Sequence, residues 1–316
     1  MKSPAFFISC DWGTTNFRLR LVETETLRAI AEYQNDQGVK KLYDQYAVQR
    51  SLNQEQFFSN YLMEQIRLLP EDHQKDLIVI SGMASSNIAL SELEYADMPF
   101  DFHGGSLYWK RILLPNGLKI VLISGVKGDN GMMRGEETQA IGLAENLRNF
   151  ESGIMLLPGT HSKHLSYEHQ QFTTLRNNMT GELFDIISQN SILSNSVVKG
   201  PWCESTAQAF LEGLDWGLSG KLTANLLYIR FNDVIRHLSK EDNYYHLSGM
   251  LIGDELSYLK DHDSMIFLGA SGPLLRLYQL ALENIIDDQQ LVIFDKNTME
   301  HALLVGQKKI LALHDQ

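Results

Sequence analysis

The segment 5–23 carries the first set of side chains whose types and spacing suit chemistry. An apolar run ends at Asp11, and residues 17–22 alternate apolar and polar side chains, as a half-buried strand does. The turn between these two predicted strands consists of Gly13, Thr14, Thr15 and Asn16. Such a turn directs backbone N–H groups and hydroxyls at one point, which suits phosphate oxygens, and Asp11 is placed to hold a metal ion there. The alternative is an ordinary hairpin in which Gly and Thr only satisfy turn geometry.

A second turn of similar character lies within residues 157–164, LPGTHSKH. Backbone groups and hydroxyls can donate to phosphate oxygens, and a lysine adds the point charge that phosphate sites often use. The predicted phosphate-binding residues here are Gly159, Thr160, His161 and Lys163. If the segment is only a strand, Lys163 and His164 would instead face solvent.

Residues 132–142, MMRGEETQAIG, place two carboxylates at the predicted start of a helix. Glu136 and Glu137 follow Gly135, and the helix dipole favours the ionised form of a carboxylate at that position. An ionised carboxylate can accept the proton of an attacking hydroxyl in a phosphoryl transfer. Helix capping is the alternative, because Glu is favoured in the first turn of any helix.

Two further groups of residues are candidates for binding a nucleoside and a sugar. Residues 267–275 read strand, Gly-Ala-Ser-Gly, helix, and bare backbone at a helix start accommodates adenine and ribose. The residues of this turn are Gly269, Ala270, Ser271 and Gly272. In the segment SGMASSN, Ser85 and Asn87 are predicted to hydrogen-bond sugar hydroxyls, while Arg18 and Arg134 are predicted to contact an anionic group.

Composition excludes several classes of function. The 316 residues include 27 Lys and Arg against 39 Asp and Glu, a net charge of −12, which argues against a broad nucleic-acid-binding face. No stretch approaches the ~18 apolar residues of a membrane span, and the initial apolar run is too short for a signal peptide. The two cysteines, Cys10 and Cys203, lack metal-ligand spacing. We therefore expect a cytoplasmic protein that does not bind membranes.

Strand and helix patterns predict two similar halves. Each half opens with a strand, a Gly-Thr turn and a second strand, marked by Gly13-Thr14 and Gly159-Thr160. This predicts an α/β fold in which two βββαβα-like halves face each other across a nucleotide cleft. The expected domains are residues 1–130 and 131–316, with a closing helix at about 298–313 that could pack back across the hinge.

Taken together, these segments resemble the 2-dehydro-3-deoxygalactonokinase family of the actin/hexokinase/Hsp70 ATPase superfamily. The matching stretches occur in the family's order: DWGTTNFRLRLV, SGMASSN, MMRGEETQAIG, LPGTHSKH, NNMTGEL, SGMLIGDEL, LGASGPLL and HALLVG. The resemblance implies two ribonuclease-H-like domains, ATP with Mg²⁺, and transfer of the γ-phosphate to the 6-hydroxyl of 2-dehydro-3-deoxy-D-galactonate.

The resemblance also implies roles for individual residues. Asp11 would coordinate or orient the magnesium shell, and Gly13, Thr14 and Thr15 would form the first phosphate loop. The second phosphate loop would comprise Gly159, Thr160 and His161, and the adenosine contact would comprise Gly269, Ala270 and Gly272. A related sugar-kinase family has a catalytic Asp in a Gly-Asp-x-x-Ala setting. Aligning Ala140 with that Ala favours Glu137 as the base over Glu136, with Asp129 as the next candidate.

Several alternatives stay open at this point. Exopolyphosphatases share a similar Asp-x-Gly-Ser-Asn start and Gly-Glu-Glu helix opening, although their second turn is a Gly-rich loop with an Asp. A kinase for another sugar acid and a non-catalytic actin-like ATPase are further alternatives. The partners expected are ATP and a small sugar acid, and a homodimer is compatible with the sequence.

Overall fold

The computed structural model describes residues 4–49, 51–71, 77–114 and 116–314. In chain order, its strands are β1 (Phe6–Trp12), β2 (Phe17–Glu23), β3 (Ala29–Asn35), β4 (Leu77–Gly82), β5 (Ala96–Asp97), β6 (Phe100–Asp101), β7 (Trp109–Leu113), β8 (Lys119–Ile123), β9 (Val126–Gly128), β10 (Gly131–Met133), β11 (Ser152–Leu157), β12 (Ser162–Glu168), β13 (Gln171–Asn178), β14 (Ile266–Leu268) and β15 (Leu291–Ile293). Its helices are α1 (Val39–Gln49), α2 (Gln54–Ile66), α3 (Glu136–Leu143), α4 (Thr180–Asn190), α5 (Glu204–Leu218), α6 (Leu222–Val234), α7 (Lys240–Leu256), α8 (Gly272–Glu283) and α9 (Lys296–His314).

The chain divides into two compact units, each described here by itself. The first comprises residues 1–151, 167–175 and 296–316, and the second comprises residues 152–166 and 176–295. This division differs from the one expected at residue 130, because residues 131–151 and the closing helix α9 both belong to the first unit.

The main sheet of the first unit has the strand order β3-β2-β1-β4-β8-β7. β1 pairs antiparallel with β2 and parallel with β4, and β4 pairs parallel with β8. Three antiparallel strands followed by parallel ones are the ribonuclease-H-like arrangement that the sequence predicts. The pairing places Asp11 directly opposite Arg18 on β2 and beside Ser81 on β4.

One face of this sheet packs against α1 and α2. Trp12 is fully buried, with its ring centroid 4.9 Å from that of Phe17 and 5.6 Å from that of Phe58. The Asn53 side chain accepts from the Gln56 N–H at 2.8 Å and caps the start of helix α2. This core anchors the end of β1, and therefore the turn that follows it.

A second sheet contains the order β15-β14-β11-β12-β13. β14 pairs parallel with both β11 and β15. Counted from β11 as the first strand, this order matches that of the first unit, so the predicted repetition of a ribonuclease-H-like arrangement is confirmed. A core that includes Phe210, Leu256 and Tyr278 joins this sheet to α5, α7 and α8.

Within the described residues, no helix combines the length and the apolar character that a span requires.

Candidate active site

Asp11 lies at the penultimate position of β1, and its carboxylate is paired with Arg18. The Oδ2 atom of Asp11 is 3.9 Å from Nη2 of Arg18, and both side chains are 39% exposed. Partial burial raises the pKa of Asp11 above its ordinary value, an effect that Arg18 and Arg20 oppose and Glu136 reinforces. The predicted residues Asp11, Arg18 and Glu136 therefore form one electrostatic group in the first unit.

The first predicted phosphate turn is held through its carbonyl oxygens. The Gly13 N–H donates to the Asn16 carbonyl at 2.9 Å, while Thr14, Thr15 and Asn16 are exposed. The N–H groups at the start of α1 then donate to the carbonyls of this turn: Gly38 to Thr15 at 3.0 Å, Val39 to Gly13 at 3.0 Å and Lys40 to Thr14 at 3.2 Å. A helix that the sequence analysis did not predict therefore fixes the turn.

Substitution of Gly38 by Ala should disturb this turn. A Cβ at Gly38 would lie 2.3 Å from the Thr14 carbonyl oxygen, a distance that only movement of the backbone can relieve. We expect Gly38→Ala to lower the free energy of unfolding by about 1–3 kcal/mol, which chemical denaturation would measure. Gly128→Ala is the control, because its Cβ would meet nothing nearer than the Met98 side chain at 3.4 Å. Equal stability of the two variants would contradict the role given to Gly38.

Glu136 and Glu137 occupy different surroundings at the start of α3. Glu137 is only 1% exposed, and both its oxygens accept from the Gly135 N–H, at 2.8 and 2.7 Å. Burial, and then the neighbouring charge of Glu136, raise the pKa of Glu137 to about 7. Glu136 is partly exposed, accepts from the Arg134 N–H at 3.1 Å, and contributes to the raised pKa of Asp11. Of the two glutamates, it is therefore Glu136 whose charge helps to raise the pKa of Asp11.

The pKa of Glu137 gives the stability of the protein a defined dependence on pH. Its folded pKa of about 7 exceeds the ordinary 4.5, so the folded state binds the proton more tightly and stability falls as the pH rises between these values. This shift of the Glu137 pKa corresponds to a loss of about 3 kcal/mol in the free energy of unfolding across that pH range. Glu137→Gln has no titrating carboxyl at this position, so it does not lose stability in this way as the pH rises. We therefore expect the melting temperature of the variant, relative to that of the wild type, to increase from pH 4.5 to pH 7.5. Calorimetry across this range measures the difference, and a difference independent of pH would contradict the assignment.

Helix α9 positions α3 and the end of β1 within the first unit. A Cβ at Gly306 would lie 1.9 Å from the Thr138 carbonyl oxygen, so the two helices cross closely at this glycine. The next residue, Gln307, is fully buried and its Nε2 donates to the Cys10 carbonyl at 3.2 Å and to Ser81 Oγ at 2.9 Å. Gln307 directly follows the segment HALLVG but was not among the predicted site residues.

The candidate sugar-binding residues fall into two groups. Arg134 donates through Nη1 to the carbonyl of Ser85 at 2.6 Å and to its hydroxyl, and its guanidinium lies 4.1 Å from the centre of the Tyr95 ring. Ser85 is fully buried, so these two residues brace each other. Asn87 is exposed, and its carbonyl accepts from Gln54 at 2.9 Å. The structure thus brings Ser85 and Arg134 together and places Asn87 at the surface.

The second predicted phosphate turn is braced by α4. The Glu182 N–H donates to the Thr160 carbonyl at 3.0 Å, and the Glu182 carboxylate lies 2.5 Å from His161 Nε2. Lys163 is 4% exposed and donates to the His161 carbonyl at 2.9 Å, and His164 is also buried. If this segment were only a strand, Lys163 and His164 were expected to face solvent. Both are buried instead.

A pocket of about 260 Å³ lies next to this turn within the second unit. Thr160 of the phosphate turn lines one side of the pocket. Leu274, in the first helical turn of α8 and two residues after the predicted adenosine segment 269–272, lines it as well. Aromatic and polar side chains of α7 line another wall: Tyr244, Tyr245 and Ser248. A turn with phosphate-binding character and a partly aromatic pocket thus share one site, as a nucleotide requires.

Comparison with known proteins identifies the family. The family model described as 2-keto-3-deoxy-galactonokinase matches residues 11–305. The chain belongs to this family. It is 30% identical over 287 residues to the 2-dehydro-3-deoxygalactonokinase of Escherichia coli (strain K12), covering 88% of this chain and 90% of that protein. It is 27% identical to a probable 2-dehydro-3-deoxygalactonokinase of Rhizobium meliloti (strain 1021), covering 90% and 91% of the two chains.

A solved structure supports the same relationship. A candidate 2-dehydro-3-deoxygalactonokinase from Sinorhizobium meliloti superposes with a TM-score of 0.79 at 26% sequence identity, covering 97% of this chain and 96% of that one. The resemblance found in the sequence is therefore confirmed, and the family is one of kinases. The exopolyphosphatase alternative is not favoured.

Proposed function

We propose that the protein transfers the γ-phosphate of ATP to the 6-hydroxyl of 2-dehydro-3-deoxy-D-galactonate. The membership in a 2-keto-3-deoxy-galactonokinase family carries this proposal. The structure adds support, because the partly exposed Glu136 at the start of α3 helps to raise the pKa of Asp11 near the end of β1. A sugar-acid kinase needs such carboxylates for metal binding and for proton acceptance.

The proposed roles follow from the chemistry of each group. The 6-hydroxyl oxygen forms a bond to the γ-phosphorus, the bond from that phosphorus to the β–γ bridging oxygen breaks, and ADP leaves. Glu136 accepts the hydroxyl proton, because it is the less buried of the paired glutamates and lies near Asp11. Glu137 accepts from the Gly135 N–H and holds the turn before α3. Arg18 and Arg134 stay candidates for contact with the substrate carboxylate.

The residues present fit a magnesium ion. Mg²⁺ is commonly held by one or two carboxylates together with substrate phosphates and water, and the partly exposed carboxylate of Asp11 meets this need. Among the described residues there is no group of three or more His, Cys, Asp or Glu that could hold a metal by itself. When bound, Mg²⁺ would neutralise charge on the phosphate oxygens. We propose Asp11, directly or through water, as its protein contact.

The pocket of the second unit is the proposed site for the nucleoside of ATP. Gly159 and Thr160 line it and, with His161 next in the chain, would contact phosphate oxygens, while Lys163 donates to the His161 carbonyl. Tyr244 and Tyr245 offer aromatic surface for adenine, and Ser248 offers a hydroxyl. The segment Gly269, Ala270, Ser271 and Gly272 leads into α8, whose first turn lines the same pocket.

An assay of ATP consumption against a panel of 2-keto-3-deoxy sugar acids tests this function. We expect the highest kcat/KM with 2-dehydro-3-deoxy-D-galactonate, and a 6-phosphorylated product in its mass spectrum. Preference for another member of the panel would assign a kinase of different substrate. Polyphosphate is the control, and its hydrolysis without consumption of any sugar acid would contradict kinase function. A cytoplasmic location and a homodimer stay predictions, and sedimentation of the pure protein tests the second.

A further inference from the structure

A buried carboxylate in the second unit has no part in the roles assigned so far. Glu255 lies near the end of α7, within the segment SGMLIGDEL, and is 5% exposed. The glycines of this segment, Gly249 and Gly253, pack closely against α5. That packing explains the glycines but gives no reason for a buried acid, which needs compensating contacts.

Three side chains from three different elements contact the Glu255 carboxylate. The Nε2 atom of His164 on β12 lies 2.8 Å from Oε1, and the Tyr278 hydroxyl on α8 donates to Oε2 at 2.8 Å. The Thr180 hydroxyl at the start of α4 also donates to Oε2. A carboxylate that accepts several hydrogen bonds is well compensated inside a protein. Glu255 thus joins β12, α4 and α8 at one buried point.

The network continues to the second phosphate turn. Because the Tyr278 proton is directed at Glu255, the Tyr278 oxygen accepts from Ser162 Oγ, 3.1 Å away. Ser162 is fully buried and directly follows His161, the last residue of the turn. His164 is held at its other nitrogen too, with Nδ1 2.8 Å from the Tyr258 hydroxyl. Glu255 therefore holds the start of β12 at two points, directly at His164 and through Tyr278 at Ser162.

Two of the three contacts of Glu255 belong to the wall of the pocket. Thr180 and Tyr278 are among the described residues that line it, whereas Glu255 is not. We propose that Glu255 is a positioning residue of the nucleotide site: it fixes Thr180, Tyr278 and the start of β12 so that turn and pocket are preorganised for ATP. This inference rests on the proposed function in one respect, that the pocket takes a nucleotide. Preorganisation of this kind changes affinity without contact to the ligand.

Glu255→Gln is the test variant, because it keeps the shape and removes the charge. The amide presents an N–H group where one carboxylate oxygen accepted, so either Thr180 and Tyr278 lose their shared acceptor or His164 must change its tautomer. We expect the KM for ATP to rise at least about tenfold. The KM for the sugar acid and the kcat at saturating ATP should stay within about twofold of wild type. A merely structural role would lower kcat through loss of active protein and leave the KM for ATP unchanged.

Asp254→Asn is the matched control, since it neutralises the adjacent carboxylate of the same helix, which is exposed. It should leave both KM values unchanged. If Glu255→Gln does not fold, His164→Gln gives a second test, because His164 contacts Glu255 and is not among the described residues that line the pocket. We expect this variant to raise the KM for ATP a few-fold with the KM for the sugar acid unchanged.

Calorimetric titration with ADP distinguishes failure of the positioning role of Glu255 from failure of the proposed kinase function. Wild-type protein that binds ADP, with weaker binding by Glu255→Gln, supports the inference. Wild-type and variant proteins that bind ADP equally would overturn the positioning role and leave the proposed function intact. Wild-type protein that binds no ADP would overturn the proposed function itself, and the inference with it.

Discussion

Asp11→Asn is expected to abolish most activity while the fold remains intact. The substitution removes the proposed contact to Mg²⁺ and phosphate, and loss of such an electrostatic group costs about 10²–10³-fold in kcat. Stability should be unchanged or slightly higher, because partial burial already raises the pKa of this carboxyl and thus disfavours its charge. Steady-state kinetics and thermal melting of the same preparations would measure both effects.

Asp97→Asn provides the matched control for this variant. Asp97 is an exposed carboxylate of the first unit that is paired with Lys127 at 3.3 Å, as Asp11 is paired with Arg18. Its substitution should leave kcat unchanged within about twofold, because exposed ion pairs contribute little. Normal turnover by Asp11→Asn would contradict the assignment of the metal and phosphate group to the end of β1.

The second large effect is expected from the paired glutamates. Glu136→Gln should lower kcat by about 10²-fold or more, the usual effect of removing a general base, with little change in the affinity for ATP. Glu137→Gln should retain far more activity, because the Gln side-chain oxygen can still accept from the Gly135 N–H. The sequence favoured Glu137 by alignment of Ala140, whereas burial of Glu137 and the proximity of Glu136 to Asp11 favour Glu136.

Single-turnover kinetics would separate the chemical step from binding for both variants. A larger loss of kcat in Glu137→Gln than in Glu136→Gln would restore Glu137 as the base. Mild and equal losses would show that the pair is structural, and Asp129 would become the next candidate.

Much of the fold could be predicted because its strands carry strong local patterns. The alternation in residues 17–22 predicted β2, and the Gly-Thr turns located both hairpins and thereby the repeated ribonuclease-H-like order. Helix α1 was missed because only Val39 and Leu42 of its eleven residues are buried, and charged and amide residues surround its few apolar positions. β7 was missed for a related reason, since most of its residues are exposed.

The arrangement of the candidate site was harder to predict, because it depends on contacts between distant segments. The sequence placed two glutamates at one helix start, but only the fold shows that Glu137 is buried and that Glu136 influences Asp11. Gln307 and Glu255 carry no local signal at all, since each acquires its role from partners on other elements. The two compact units divide the chain at other residues than the expected 130, because α9 lies in the first unit.

The late position of α9 has a consequence for biosynthesis. The hydrogen bond from Gln307 to the Cys10 carbonyl joins residues 297 positions apart, so the first unit stays incomplete until nearly the whole chain has left the ribosome. Contacts of such long range form slowly, because the chain must first close a very large loop. The second unit contains only residues 152–166 and 176–295, all of which are translated before α9. During synthesis, the unit that begins later in the sequence is therefore the one that can finish folding first.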